Sequence, residues 1–304
     1  MRPWPGPLVA LLLCLASLSP AWAVTEGRAA IVEMNDFPEP YGDIPVDFIN
    51  TARLVDALNA LGWENSSIRV HNNITERTDV IRLLDWLENS TDADDIALLY
   101  VFTHGSWMSK VLNWNEWFPQ RWISINCSTK LLIVDTCGSG GYISALADPP
   151  QGHISLSGCA PGEVEWAGLE EEGLPILGSV WNYYFTTGLL NSTADRDGDS
   201  YVSVEEAHNW SVVQTQTYMR DEVYSRQEFL DLYHEEEIYP EQTDGYPNPV
   251  IHDAYEGQMI LDMRYHAPER TWPYLLSLLV LAVIISLYRS KLSADSKYPL
   301  DIEV

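Results

Sequence analysis

Thr103-His104-Gly105-Ser106 and Asp135-Thr136-Cys137-Gly138-Ser139-Gly140-Gly141 put an imidazole and a thiol at the ends of two apolar runs, each just ahead of glycine. A cysteine nucleophile needs a base that holds or generates its thiolate, and main-chain N–H donors aimed at the oxyanion formed during acyl transfer. Cys137 and His104 supply the first requirement, and the N–H groups of Gly105 and Cys137 the second. The absent side chains of Gly105, Gly138, Gly140 and Gly141 let a peptide backbone come close. A core cysteine and a structural histidine are the plain alternative for such a pair. Placement of both at strand ends, each followed by glycine, argues for the chemistry.

A second cluster offers metal chemistry. Asp195, Asp197, Asp199, Ser203 and Glu206 set side-chain oxygens at loop positions 1, 3, 5, 9 and 12, with the carbonyl of Tyr201 at position 7. That is the ligand spacing of an EF-hand loop, and it predicts a structural Ca²⁺, with no cofactor needed for catalysis. Ser200 departs from the pattern by standing where glycine normally permits the turn. The competing reading is an acidic loop that caps the helix opening near Ser203.

The elements that must position these groups alternate between strand-like and helix-like blocks. Ala29–Met34 and Ser67–His71 read as strands, and Val46–Leu61 carries Phe48, Ala52, Val55 and Leu58 at helical spacing. Val80, Leu83, Leu84 and Leu87 mark a helix capped by Thr78. Ile96–Phe102 and Leu131–Val134 are unbroken apolar runs of the kind covered on both faces, and Ile154–Ser157 is a weaker fifth strand. Gly178–Leu190 reads as a helix and Gln258–Leu261 as a closing strand. The sum is an α/β three-layer sandwich around a mostly parallel sheet, in which functional groups gather beyond the carboxyl ends of the strands.

An apolar strand followed by His-Gly-Ser, and then an apolar strand followed by Asp-Thr-Cys-Gly-Ser, resembles the legumain and caspase-like clan of cysteine peptidases. The likeness is to the legumain-type branch, which includes the catalytic subunit of the glycosylphosphatidylinositol transamidase. It covers roughly residues 28–262, including Ile154–Ala167 and Tyr239–Gly245. The resemblance implies a caspase-like sheet, Cys137 as nucleophile and His104 as its base, and cleavage or transfer of peptide bonds without a metal. Members selective for Asn carry an Arg shortly after the first strand, but no Arg lies between Arg28 and Arg53, and Asp43 falls near that position. Asp43 is then either a pocket carboxylate favouring Lys or Arg before the scissile bond, or a solvated loop carboxylate. By the same resemblance Glu163, Glu165 and Trp166 line the cleft rim; surface charge and one core aromatic are the alternative. Cys159 either pairs reversibly with Cys137 or lines the pocket, and Trp107, Trp114, Trp117 and Trp122 form a lid or pack together.

The ends of the chain suggest a membrane-anchored protein. Leu8–Ala16 followed by Ala21-Trp22-Ala23 reads as a signal peptide over 1–23, which leaves 24–269 as the peptidase domain. Trp272–Tyr288, seventeen uncharged residues closed by Arg289 and Lys291, reads as a span within 270–289, with 290–304 as a cytoplasmic tail. A single-pass protein with its catalytic domain in an endomembrane lumen or at the cell surface follows. Asn65, Asn73, Asn89, Asn126, Asn191 and Asn209 all open glycan acceptor sequons between the two hydrophobic ends. The 304 residues, 46% apolar, hold one domain of roughly 150–250 residues plus appendages. A net charge of −27 argues against nucleic acid as a partner. The expected partners are a peptide or protein substrate, the membrane and subunits of a membrane complex. Hydrolysis through a thioester acyl-enzyme is the leading expectation, transfer of the acyl group to an amine the alternative, and a catalytically silent Ca²⁺-binding ectodomain a third.

Overall fold

Apolar runs without polar alternation need cover on both faces, and the central strands have it. The structure, a computed structural model, describes residues 26–74, 76–144, 146, 151–235, 247–265 and 285. Six strands form one sheet in the order β2 (Ile68–Asn72), β1 (Gly27–Glu33), β3 (Ile96–Phe102), β4 (Thr129–Asp135), β5 (His153–Ser157) and β8 (Val250–Asp253). The first five run parallel, and β8 is antiparallel to β5. A separate two-stranded piece joins β6 (Ala167–Gly168) to β7 (Gly178–Ser179).

Side chains along β3 alternate between two layers, as the period of two in a strand requires. Ala97, Leu99 and Val101 pack with α2 (Arg77–Ser90), α3 (Gly105–Lys110), α4 (Trp114–Ile123) and α5 (Ser139–Ser144). Leu98, Tyr100 and Phe102 pack with α1 (Ile49–Ala60), α6 (Val180–Leu189) and α7 (Val204–Tyr218). Val80, Leu83, Leu84 and Leu87 of α2 recur on one face and are buried, contributing about 1.5–3 kcal/mol each. A smaller cluster gathers Trp166, Ile176 and Tyr218 around Phe229 of α8 (Gln227–Glu235).

Two local readings are corrected. The closing strand is Val250–Asp253, whereas 258–261 is no strand and makes one bridge, Ile260 to Ser203. Met259 and Leu261 are buried in the α1, α6 and α7 layer, so their alternation records packing against helices rather than sheet pairing. Thr78 does not cap α2, which starts after Glu76 with no side-chain cap; its hydroxyl instead donates to Glu76 at 3.0 Å. Of the two uses open to the tryptophans, packing is the one seen. Trp114 and Trp122 are fully buried and stack on Phe118, while Trp107 packs edge-on against Phe37 and Tyr41.

Segments 1–23 and 290–304 lie outside the described residues, as does 270–289 except Ile285. Among the described residues no helix is long and apolar enough to cross a membrane.

A buried histidine ties α4 to β5 and makes the fold sensitive to acid. His153 is 2% exposed, and its Nε2 accepts from the Trp122 indole N–H at 2.9 Å. Burial, aided by Lys130, pushes its pKa down from 6.5 to about 4. The unfolded chain therefore binds this proton first, and stability present above pH 6.5 is lost as the pH falls towards 4, by roughly 3 kcal/mol. Urea midpoints across that window are expected to fall less steeply for His153→Gln, which keeps an acceptor for Trp122 but cannot be charged. Parallel curves for the two proteins would assign the acid sensitivity elsewhere.

Candidate active site

The β3–β4 ladder pairs Phe102 with Asp135, so His104 and Cys137 each stand two residues beyond the paired edge. The Thr136 hydroxyl donates to the Thr103 carbonyl and ties the two strand ends together. Glycine is required just afterwards. A Cβ on Gly105 would lie 2.3 Å from the Cys137 carbonyl oxygen, so only a bare Cα lets the two chains approach this closely. Gly105 also opens α3, where the first N–H groups lie ahead of the helix's own ladder. Tyr142 on α5 donates to the Gly105 carbonyl at 2.6 Å and fixes this peptide from the other side.

His104 is half-buried, with Phe37 packed on its ring at a centroid distance of 4.6 Å. Its Nε2 lies 2.8 Å from the carbonyl oxygen of Gly42. A carbonyl only accepts, so Nε2 carries the proton and the Nδ1 lone pair is left to receive another. The loop holding Gly42 is pinned in turn: Ile44 N donates to the Asn35 carbonyl at 2.8 Å, and Asn35 N donates to the Asn73 side chain at 3.0 Å. Gly42 is a site residue that sequence reasoning missed, because a backbone acceptor leaves no mark in residue type.

Both groups line one cavity of about 270 Å³ with Asp43, Glu165, Trp166 and Glu172. Asp43 is exposed and accepts from Phe37 N at 2.8 Å, so it braces its own loop while facing the cavity. Glu165 and Trp166 are buried in the wall rather than set on an open rim. Glu163 is not among the lining residues; its carboxylate accepts from Ala160 N, Asn248 N and the Asn248 amide, closing the turn after β5. Cys137 is partly exposed, with Sγ 3.9 Å from the Glu165 carbonyl oxygen.

Beneath the cavity lies a buried polar cluster whose members sit on different elements. Asp135 accepts from the Tyr100 hydroxyl at 2.6 Å and from the Ser179 hydroxyl at 2.9 Å, and Ser179 Oγ lies 3.0 Å from Glu165. Ser179 also caps α6, and its N–H donates to Asn50, which donates to Glu33. Burial and the adjacent Asp135 hold the Glu165 carboxyl well above the usual carboxylate range. Asp135 was legible as a strand-end residue, but Ser179 was not, since its partners lie far away in sequence.

Cys159 is fully buried and does not line the cavity. Its thiol contacts Ser139 Oγ and the Thr136 carbonyl, and burial pushes its pKa up to about 12, so it is a poor thiolate at neutral pH. No disulfide joins Cys127, Cys137 and Cys159 to one another.

In the acidic loop, carboxylate oxygens of Asp195, Asp197 and Asp199 lie within 4.8 Å of one another. Ser200 takes φ +76°, the left-handed turn for which glycine is usual at that position. Glu206 and Ser203 form a capping box on α7, and Glu206 also accepts from Arg196 N at 2.8 Å. Tyr201 N donates to Asp199. Three of the expected ligands thus converge, while Ser203 and Glu206 serve the helix start. Of the sequon residues, Asn65, Asn89, Asn126 and Asn209 are exposed, whereas Asn73 and Asn191 are partly buried, Asn73 holding the chain at Asn35 and Asp36 and Asn191 its own turn at Thr193.

No family model matches the chain, and no curated protein matches it. In three dimensions it is similar to caspase-1 from Spodoptera frugiperda, at a TM-score of 0.53 and 12% identity, over 80% of this chain and 92% of that one. At that identity the likeness carries the fold, and the chain has a caspase-like α/β fold built on a mostly parallel six-stranded sheet.

Proposed function

We propose that the chain is a cysteine endopeptidase of legumain-like type. The observation that carries this reading is the histidine geometry: His104 and Cys137 share one cavity, and the Gly42 carbonyl holds the Nε2 proton so that Nδ1 is free for a thiol proton. In the proposed reaction Cys137 sulfur attacks the scissile carbonyl carbon and its proton passes to His104 Nδ1. The N–H groups of Gly105 and Cys137 receive the oxyanion. His104 then protonates the leaving amine as the tetrahedral adduct collapses to a thioester, and water activated by the same imidazole releases the acid.

Three further roles belong to the proposal. The 195–206 loop holds a structural Ca²⁺ through Asp195, Asp197 and Asp199 first, supported by their convergence and by the turn at Ser200. Residues 270–289 anchor the chain in a membrane. The catalytic domain then lies outside the cytoplasm, where the sequon residues receive glycans.

The test is incubation of the full chain and its Cys137→Ala variant with a mixed peptide library, with and without Ca²⁺ and an added amine. Products are read by mass spectrometry. Cleavage lost in the variant supports the peptidase, and amine-capped products would replace hydrolysis by transfer. A folded, reduced, Ca²⁺-loaded protein giving no Cys137-dependent product would overturn the reading and leave a binding ectodomain.

A further inference from the structure

We propose that the cavity selects a cationic side chain, lysine or arginine, before the scissile bond, and that this cation takes the place of a proton shared by Glu165 and Asp135. The inference rests on the cysteine-peptidase reading and names its substrate class. Among the described residues lining the cavity, Asp43, Glu165 and Glu172 are acidic and none is lysine or arginine. The Glu165 carbonyl oxygen lies 3.9 Å from Cys137 Sγ, and the substrate side chain that enters beside this residue is assigned to the acyl half of the bond.

The geometry at Glu165 lacks a positive partner. The Ser179 hydroxyl has one proton, yet it faces Asp135 Oδ1 at 2.9 Å and Glu165 Oε1 at 3.0 Å while accepting from Asn182 N. One of the two carboxyls must therefore bring a proton of its own. Glu165 Oε2 is buried, and no donor among the described residues reaches it. The seat is also built for this group: a Cβ on Gly158 would lie 2.1 Å from Glu165 Oε1 and 2.4 Å from Oε2, so the end of β5 is cut back to admit the carboxyl.

The surrounding charges leave room for one more cation. Tyr100 from β3 donates to Asp135, Glu33 from β1 is held by Asn50 and Thr51, and Cys137 and Cys159 face the pair from beyond β4 and β5. Among the described residues Arg53 from α1, stacked over Tyr183 at 5.0 Å, is the cation coupled electrostatically to Asp135 and Glu33. Three buried carboxyls thus face this guanidinium, and burial together with Asp135 keeps a proton on Glu165. On binding, the ammonium or guanidinium enters beside Glu165 and the proton leaves to solvent, so the charge in the cavity is unchanged.

The test uses the full chain in detergent micelles and three chloromethyl ketones on one peptide, ending in arginine, its neutral isostere citrulline, or aspartate. Alkylation of Cys137 is followed by mass spectrometry between pH 5 and 8. The arginine reagent is expected to react about 30-fold faster than citrulline at pH 8. That ratio falls as the pH is lowered and the pair keeps its proton, and any pH effect common to the two reagents cancels from it. Glu165→Gln is expected to bring the ratio at pH 8 to within about threefold of unity and to remove its pH dependence. Should that variant not fold, the wild-type ratio against pH decides. Equal rates for arginine and citrulline, a preference for aspartate, or an arginine preference independent of pH would each overturn the inference while leaving Cys137 as nucleophile. Failure of all three reagents, and of iodoacetamide, to label Cys137 would overturn the peptidase reading itself.

Discussion

His104→Gln is expected to lower peptide cleavage by about 10²–10⁴-fold while leaving the thermal midpoint within about 1 °C of wild type. The small structural effect follows from position. His104 lies past the end of β3 and is half-exposed, and its ring Nε2 is held by the Gly42 carbonyl. Glutamine can still donate to that carbonyl, but its amide offers no basic lone pair where Nδ1 stood. The expected signature is therefore a changed pH profile as well as a lower rate. With the base gone, the remaining activity should rise with pH as hydroxide generates the thiolate. Steady-state cleavage of the best library peptide between pH 5 and 9 reads both effects. Retention of activity within threefold would remove His104 from the proton path and direct attention to another base.

What was legible in the sequence follows from how local each signal is. The apolar runs of β3 and β4 and the residues just past them are contiguous, so strand type, strand end and the placement of His104 and Cys137 on a common edge could be read from the sequence alone. The α2 stripe was equally readable, because four leucine and valine positions at helical spacing have one economical solution. β8 was missed for the opposite reason. It is four residues long and half-exposed at the sheet edge, whereas Met259 and Leu261 carry a stronger apolar signal that serves a helix layer. Glu165 shows the limit for the site. The resemblance placed it on the cleft rim, yet its carboxyl meets Asp135 and Ser179, which come from β4 and β7, and only the folded chain reveals that burial. The acidic loop lies between these cases: the spacing of Asp195, Asp197 and Asp199 correctly placed three converging carboxylates, but whether Glu206 faces that cluster or caps α7 depends on backbone geometry.

Gly105→Ala separates the close approach of the two catalytic strand ends from the chemistry of either side chain. The added methyl would meet the Cys137 carbonyl oxygen at 2.3 Å and its carbon at 3.2 Å, and both are main-chain atoms that no rotamer change can move. The Thr136–Thr103 hydrogen bond and the continuous β3–β4 ladder resist separation on one side, while Tyr142 holds the Gly105 carbonyl on the other. The strain must then be relieved by displacing the Cys137–Gly138 peptide and with it the Cys137 main chain, whose N–H on the preceding peptide is assigned to the oxyanion. An overpacking cost of about 1–3 kcal/mol is expected in denaturant unfolding. Cleavage should fall by about 10²-fold, since a displacement near 1 Å suffices for such a loss. Gly141→Ala provides the stability control: its Cβ would meet nothing within 4 Å, and alanine in α5 is expected to leave stability within about 1 kcal/mol of wild type. Iodoacetamide labelling separates the causes of lost activity. If Gly105→Ala folds and Cys137 keeps its wild-type alkylation rate while peptide cleavage collapses, the damage lies in the oxyanion donors rather than in the thiol–imidazole pair. If cleavage is unchanged, the close contact between Gly105 and Cys137 has no part in catalysis.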